Sequence, residues 1–252
     1  MYLTIIMFLS FLVPIAVMPR DIVVGAKSPY KIVLHASLFA SAAALAVFIY
    51  ASTSDTSIYD QIMKITEAAV DTLLKDPKAL ELLGMYDMNA DEQKDVLMKL
   101  YSSFFDGLPV AIMAFNVIVA YFEYMIMSRL MKRTLNHIKL LPPLREFNIP
   151  PGAVWGVMAM YVIAYIMTST DIMPNDLLYI NMNGVFDFVF TIQGISVILM
   201  LFHMKRLPKA LAYVVTIFIW GTAVGRWLLV FVGMFDVILG LKFRMQNSKP
   251  RR

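Results

Sequence analysis

The 252-residue chain is 60% hydrophobic and only 16% charged, with 22 Lys and Arg against 18 Asp and Glu, and it contains no Cys. Soluble domains sit nearer half apolar and a quarter charged, so an ordinary soluble domain is excluded, and with it, for want of thiols, disulfides, thiolate metal sites and thiol catalysis. The net charge of +4 is not a nucleic-acid footprint, because the basic residues flank apolar segments, where they act as membrane orientation signals.

The first apolar run is Leu3 to Met18. It has neither the basic start nor the small-residue cleavage site of a signal peptide, and reads as a retained helix, short and kinked at Pro14. The second run is Ile32 to Tyr50, followed by a polar stretch from Ala51 to Gly107. Leu108 to Leu130, Ala153 to Met167, Leu177 to Phe202 and Ala210 to Leu241 are apolar again. The last of these would be about 48 Å long as one helix, too long for one upright crossing of about 30 Å. Gly221, Gly225 and Arg226 interrupt it, so it is expected to be a short hairpin. The reading is an all-α, polytopic protein of about seven membrane helices, forming one membrane domain over 1–252. The 20 Met read as flexible apolar packing groups.

Charge alternates along the loops. Arg20, Lys27 and Lys31 follow the first run; Arg129, Lys132, Arg133, Lys139 and Arg145 follow the third; Lys205, Arg206 and Lys209 precede the last; Lys242, Arg244, Lys249, Arg251 and Arg252 end the chain. The segments between are acidic: 51–107, and 168–176 with Asp171 and Asp176. Basic loops stay cytoplasmic, which places the N-terminus outside and the C-terminus inside. Segment 51–107 then becomes an extracytoplasmic helical insertion. Within it Ile58, Ile62, Ile65, Ala69 and Leu73 fall at helical spacing after a capping box at Ser57 and Asp60. Lys75-Asp76-Pro77 ends that helix and Gly84 closes a second. Asn89 and Glu92 open a third, which carries Val96, Leu97, Leu100, Phe104 and Phe105. These amphipathic faces are expected to lie as a lid on the protein or the outer membrane surface, or to gate a pocket.

Charges inside a bilayer are costly and mark functional candidates. Glu123, Asp187, Arg226 and Asp236 qualify. Asp187 lies deepest, with Asn183 and Thr191 one turn away on either side. Asn183, Asp187, Glu123 and Arg226 are therefore the candidate ligand-binding residues. The competing structural roles are specific. Glu123 would reach Lys132, Asp236 would be neutralised by Lys205 or Arg206, Arg226 would snorkel to the headgroups, and Asn116 and Gln193 would bond across helices. Ala36, Ala40 and Ala44 recur every fourth residue beside Ser37 and Ser41. Small residues at that spacing permit close helix approach, either within the chain or as a docking face for another membrane subunit. No metal spacing surrounds the three His, and no P-loop, G-x-S-x-G or G-x-G-x-x-G is present. No enzyme, metal or cofactor is expected.

The order of several short motifs carries a resemblance. Leu108-Pro109 opens a helix ending in the basic stretch Arg129 to Lys139. Next come Leu141-Pro142-Pro143-Leu144-Arg145-Glu146-Phe147-Asn148-Ile149-Pro150 and Trp155, then Gln193-Gly194, Lys205-Arg206-Leu207-Pro208, Gly233-Met234-Phe235-Asp236 and Lys242-Phe243-Arg244. In this order the chain resembles the YybS-like family of bacterial multipass membrane proteins of unknown function, across residues 108–244 and, before them, by layout. Relative to that family it starts one helix short. The family is grouped by fold with the substrate-binding S components of energy-coupling-factor transporters. The resemblance thus implies a small-solute-binding membrane subunit in the lipid bilayer, with separate coupling and ATPase subunits as partners. The alternative is a non-enzymatic scaffold or regulatory partner of another membrane protein. An outward cavity lined by Asp187 and Asn183 would favour the first; a solid core with an exposed small-residue face would favour the second.

Overall fold

Long apolar runs with few Gly or Pro breaks leave the backbone one way to satisfy its polar groups in lipid, the helix. The structure, a computed structural model, describes residues 2–53, 58–85, 88–149, 151–170 and 177–247. Ser57, Pro150, Asp171, Asp176, Lys249, Arg251 and Arg252 lie outside the described residues, as do the side chains of Ile58, Asp60, Ile62 and Phe104. The helices are α1 (Tyr2–Val24), α2 (Pro29–Thr53), α3 (Ile58–Leu73), α4 (Pro77–Leu82), α5 (Ala90–Asp106) and α6 (Leu108–Lys132). After a 3-10 turn at Leu144–Glu146 come α7 (Pro151–Ser169), α8 (Leu177–Met204), α9 (Lys209–Gly221), α10 (Ala223–Leu239) and α11 (Leu241–Asn247).

The chain is a polytopic all-α membrane protein. Among the described residues four helices, α1, α2, α6 and α8, are long and apolar enough to cross a bilayer. The α9–α10 pair adds a fifth if taken as one broken span. Seven apolar helices are described, among them α7 with 19 residues; α9 and α10, with 13 and 17, are too short to cross upright alone.

Where the sequence reads as one membrane domain, the contacts divide the chain into two compact units. Unit 1 comprises Met1–Lys27 and Lys31–Met127; unit 2 comprises Ser28–Tyr30 and Ser128–Arg252.

In unit 1, α1 runs straight through Pro14 and Pro19 and ends six residues beyond the expected Met18. Its buried residues are Ile6, Ser10, Pro14, Met18 and Ile22, every fourth position. This narrow stripe turns both the inner proline and the Ser10 hydroxyl inward, and the hydroxyl is satisfied by the Ile6 carbonyl at 2.9 Å. Phe11 meets Phe115 of α6 edge to face at 6.0 Å. Tyr2, Phe48, Phe105 and Leu108 pack around Ala51.

Helices α3 to α5 partner one another. Val70, Leu80, Met85 and Leu97 form a small core with Leu73, Leu74, Met98 and Tyr101. The buried face matches the expected one in part: Leu73 and Leu97 pack as read, joined by Thr66 and Val70, while Ile65 and Leu100 point outward. Helical spacing alone admits both faces; the partner helix selects one. The Asn89–Glu92 capping box holds as read. Asn89 Oδ1 accepts from the Glu92 amide at 2.9 Å, and Glu92 returns the bond to the Asn89 amide at 3.3 Å. Asp76 caps α4, with Pro77 at its first position.

Unit 2 is built on α8. Gly194 of α8 and Gly233 of α10 face the partner backbone so closely that a β-carbon would stand 2.0 Å from the Leu229 carbonyl oxygen or the Phe190 carbonyl oxygen respectively. These glycines let the two helices touch through their main chains. Phe190 and Val230 then join Ile149 and Val154 in the apolar core of the unit. On the α7 side, Tyr161 stacks against Phe186 at 5.2 Å. The chain breaks between α9 and α10 where the glycines suggested. Thr222 caps α10 by accepting from the Gly225 amide at 3.1 Å. Gly225 is required there, since a β-carbon would lie 1.9 Å from the Ile219 carbonyl oxygen. The two arms bend by 111°, short of the full reversal of a hairpin.

Candidate functional site

Two polar features of unit 2 differ in kind. The first is a closed network at the α8–α10 seam. The buried Gln193 amide donates to Asp236 Oδ2 at 2.5 Å and to Asn148 Oδ1 at 3.0 Å, and its own oxygen accepts from the Ile149 amide at 3.1 Å. Gly240, with φ +62°, turns the chain after α10. The turn brings the Lys242 amide to Asp236 Oδ1 at 2.8 Å and its ammonium within 3.5 Å of Oδ2. The ammonium also donates to the Phe147 carbonyl and, at 2.9 Å, to Ser196 Oγ. Ser196 lies within bonding distance of the Arg145 and Phe147 carbonyls as well. Burial pulls Lys242 below the ordinary lysine range, and the Asp236 carboxylate opposes that shift.

The network fastens the 145–149 strand of chain to α8, α10 and α11. Tyr30 reinforces it by donating to the Pro142 carbonyl at 2.9 Å. Beside it opens a cavity of about 370 Å³ lined in part by Arg145, Asn148, Asp236 and Lys242. The expected neutralisation of Asp236 by Lys205 or Arg206 is corrected: its partner is Lys242. The Asp236-x-x-x-Gly240-x-Lys242 spacing was the available signal, legible once glycine is read as a turn. Gln193 bonds across helices, and Lys242, Asn148 and Ser196 are the members that residue-by-residue reading missed.

The second feature is open. Asp187 is the eleventh residue of α8, about 15 Å from its start. Asn183, Asp187 and Thr191 lie one turn apart along one face, half-buried, and among the described residues none makes a hydrogen bond or an ion pair. Arg226, exposed at the start of α10, acts on Asp187 electrostatically without reaching ion-pair distance. The Tyr161 hydroxyl also feels the Asp187 charge and bonds the Tyr179 hydroxyl at 3.1 Å. Neither Asp187 nor Asn183 lines the cavity beside the network or the cleft walled by Arg145, His203 and Lys209.

The remaining expected residues belong to unit 1. Glu123 makes neither the ion pair expected with Lys132 nor any other bond among the described residues, and both its carboxylate oxygens are buried. Seven residues earlier on α6, Asn116 donates to Ser41 Oγ at 3.3 Å, while its carbonyl oxygen is buried without a partner. The four expected ligand residues therefore divide: Glu123 in unit 1, and Asn183, Asp187 and Arg226 in unit 2. Ala36, Ala40 and Ala44 have no exposed surface. Of the two readings of this stripe, the burial of all three favours packing within the chain over an exposed docking face.

Several membrane helices, a reciprocal glycine seam and charged groups set within the spans define a multipass membrane protein. The sequence matches DUF2232, a family described as "Predicted membrane protein", over residues 1–237, and the chain belongs to that family. It is 33% identical over 112 residues to the uncharacterized protein YybS of Bacillus subtilis (strain 168), a match covering 43% of this chain and 35% of that one. The chain thus aligns with about a third of that relative's length. No solved structure matches.

Proposed function

We propose that the protein is a membrane-embedded solute-binding or transport subunit, not an enzyme, resembling the S component of an energy-coupling-factor transporter. Asn183, Asp187 and Thr191 take a polar or cationic group of a small solute. One contrast carries this reading. Of the two span carboxylates in unit 2, Asp236 has every oxygen engaged, whereas Asp187 has no bonded partner among the described residues. An ionised carboxylate near the middle of a bilayer costs about 3 kcal/mol on insertion scales unless paired or solvated, so an unpaired one is retained for something it meets transiently. Arg226, beside it but not bonded, supplies a charge that a solute can displace or share. Coupling and ATPase subunits are the partners this reading requires. In this reading the protein sits in a bacterial inner membrane, and the basic loops support a cytoplasmic C-terminus.

The test is Asp187→Asn, which keeps shape and removes charge. A panel of small polar and cationic solutes is screened by thermal shift on the purified protein. The reading expects a solute that stabilises the natural protein and does not stabilise the variant, with the unliganded melting temperatures alike. A variant that melts early, with no solute discriminating the two proteins, refutes it.

A further inference from the structure

At the opposite end of α8 from the polar strip, the chain turns a corner through Met204 to Pro208 into α9. Under that corner lies a cleft of about 50 Å³ walled by Arg145, His203, Lys209 and Tyr213 on its polar side and by Leu199 and Phe202 on its apolar side. The cleft is small and open on one side, with room for a compact group rather than a bulky ligand. We infer that this cleft binds the phosphate of an anionic phospholipid.

Three observations support a lipid source. First, charge: Arg145 and Lys209 line the cleft and Lys205 and Arg206 stand exposed on the corner above it. The adjacent carboxylate is Glu146, which sits 3.6 Å from Arg145 and is itself half exposed, leaving the other cations unneutralised. Second, depth: the corner joins the ends of two apolar helices, where a span meets the headgroups. Basic pockets between helices at that depth recognise lipid phosphates. Third, the helix that walls the cleft is apolar on the faces turned away from it. Leu211, Val214, Ile217 and Phe218 of α9 are all exposed, Phe218 by 74%. A free phosphate needs only the cations; a phospholipid needs cations beside an apolar surface for its chains. The corner also holds Arg206 at φ 56°, a left-handed conformation in which glycine would be the easier residue.

The experiment uses the full chain in phosphatidylcholine nanodiscs, with phosphatidylglycerol titrated in and retained lipid read by native mass spectrometry after release. The natural protein should retain phosphatidylglycerol over phosphatidylcholine. Each basic residue near an anionic surface is worth about fivefold in binding, so the double substitution Arg145→Gln and Lys209→Gln should lower that preference about 25-fold. A control, Lys132→Gln with Arg133→Gln, should leave most of it. Equal retention of the two lipids by the natural protein overturns the inference without recourse to any variant. So does a double variant that keeps its preference. Inorganic phosphate that competes as strongly as the lipid would show a free-anion site and would overturn the lipid assignment. The inference is independent of Asp187: its result leaves the solute reading where it stands.

Discussion

The Gly194–Gly233 seam has no room for a single added methyl group. In Gly194→Ala the new β-carbon would stand 2.0 Å from the Leu229 carbonyl oxygen and 2.8 Å from its carbon. An ordinary contact begins at 3.4 Å, so α8 and α10 must separate locally by about 1.4 Å, because a backbone carbonyl on a helix cannot rotate aside. Overpacking of this kind costs about 1–3 kcal/mol. The displacement also falls on the polar network, since Gln193 adjoins Gly194 and bonds Asp236 at 2.5 Å, three residues beyond Gly233. Opposing this, alanine is a better helix former than glycine by about 1 kcal/mol. That term is isolated by Gly156→Ala in α7, where a β-carbon meets nothing within 4 Å. Relative to that control, Gly194→Ala should lose about 2 kcal/mol, or about 4–8 °C in melting temperature for a chain of this size. Thermal unfolding of both purified variants in one detergent measures it. Gly194→Ala melting together with Gly156→Ala would refute the backbone-contact account of the seam.

Lys242→Met should destabilise by about 3–5 kcal/mol, because it leaves Asp236 buried and unpaired. Adding Asp236→Asn to it should restore part of the loss, and denaturant titration of the single and double variants distinguishes a paired charge from simple packing. For topology, single cysteines at Lys75 and Arg133, in a chain with none of its own, should label from outside and only after permeabilisation, respectively. Equal labelling of both from outside would overturn the orientation drawn from the basic loops.

Much of the architecture was legible because lipid imposes it locally. Apolar runs must become helices wherever backbone groups have no water to bond, so the all-α, multipass class follows from composition and run length. The Asn89–Glu92 box, the Asp76-Pro77 start of α4 and the break near Gly221 to Gly225 were also legible, since caps and glycine turns act within a few residues. What tertiary structure alone decided were pairings between residues distant in sequence. Spacing gave Asp236 a choice of cations; only the left-handed turn at Gly240 delivered Lys242 rather than Lys205 or Arg206. The motif residues Asn148, Gln193, Asp236 and Lys242 were visible as an order along the chain, but not as one network. Their bonds span 43 to 95 residues, or else depend on a turn. For the same reason the alanine stripe could not reveal whether it would be covered, nor α3 which of two adjacent faces it would bury. A periodic pattern fixes that a face is apolar, and the helix that arrives against it fixes which residues meet.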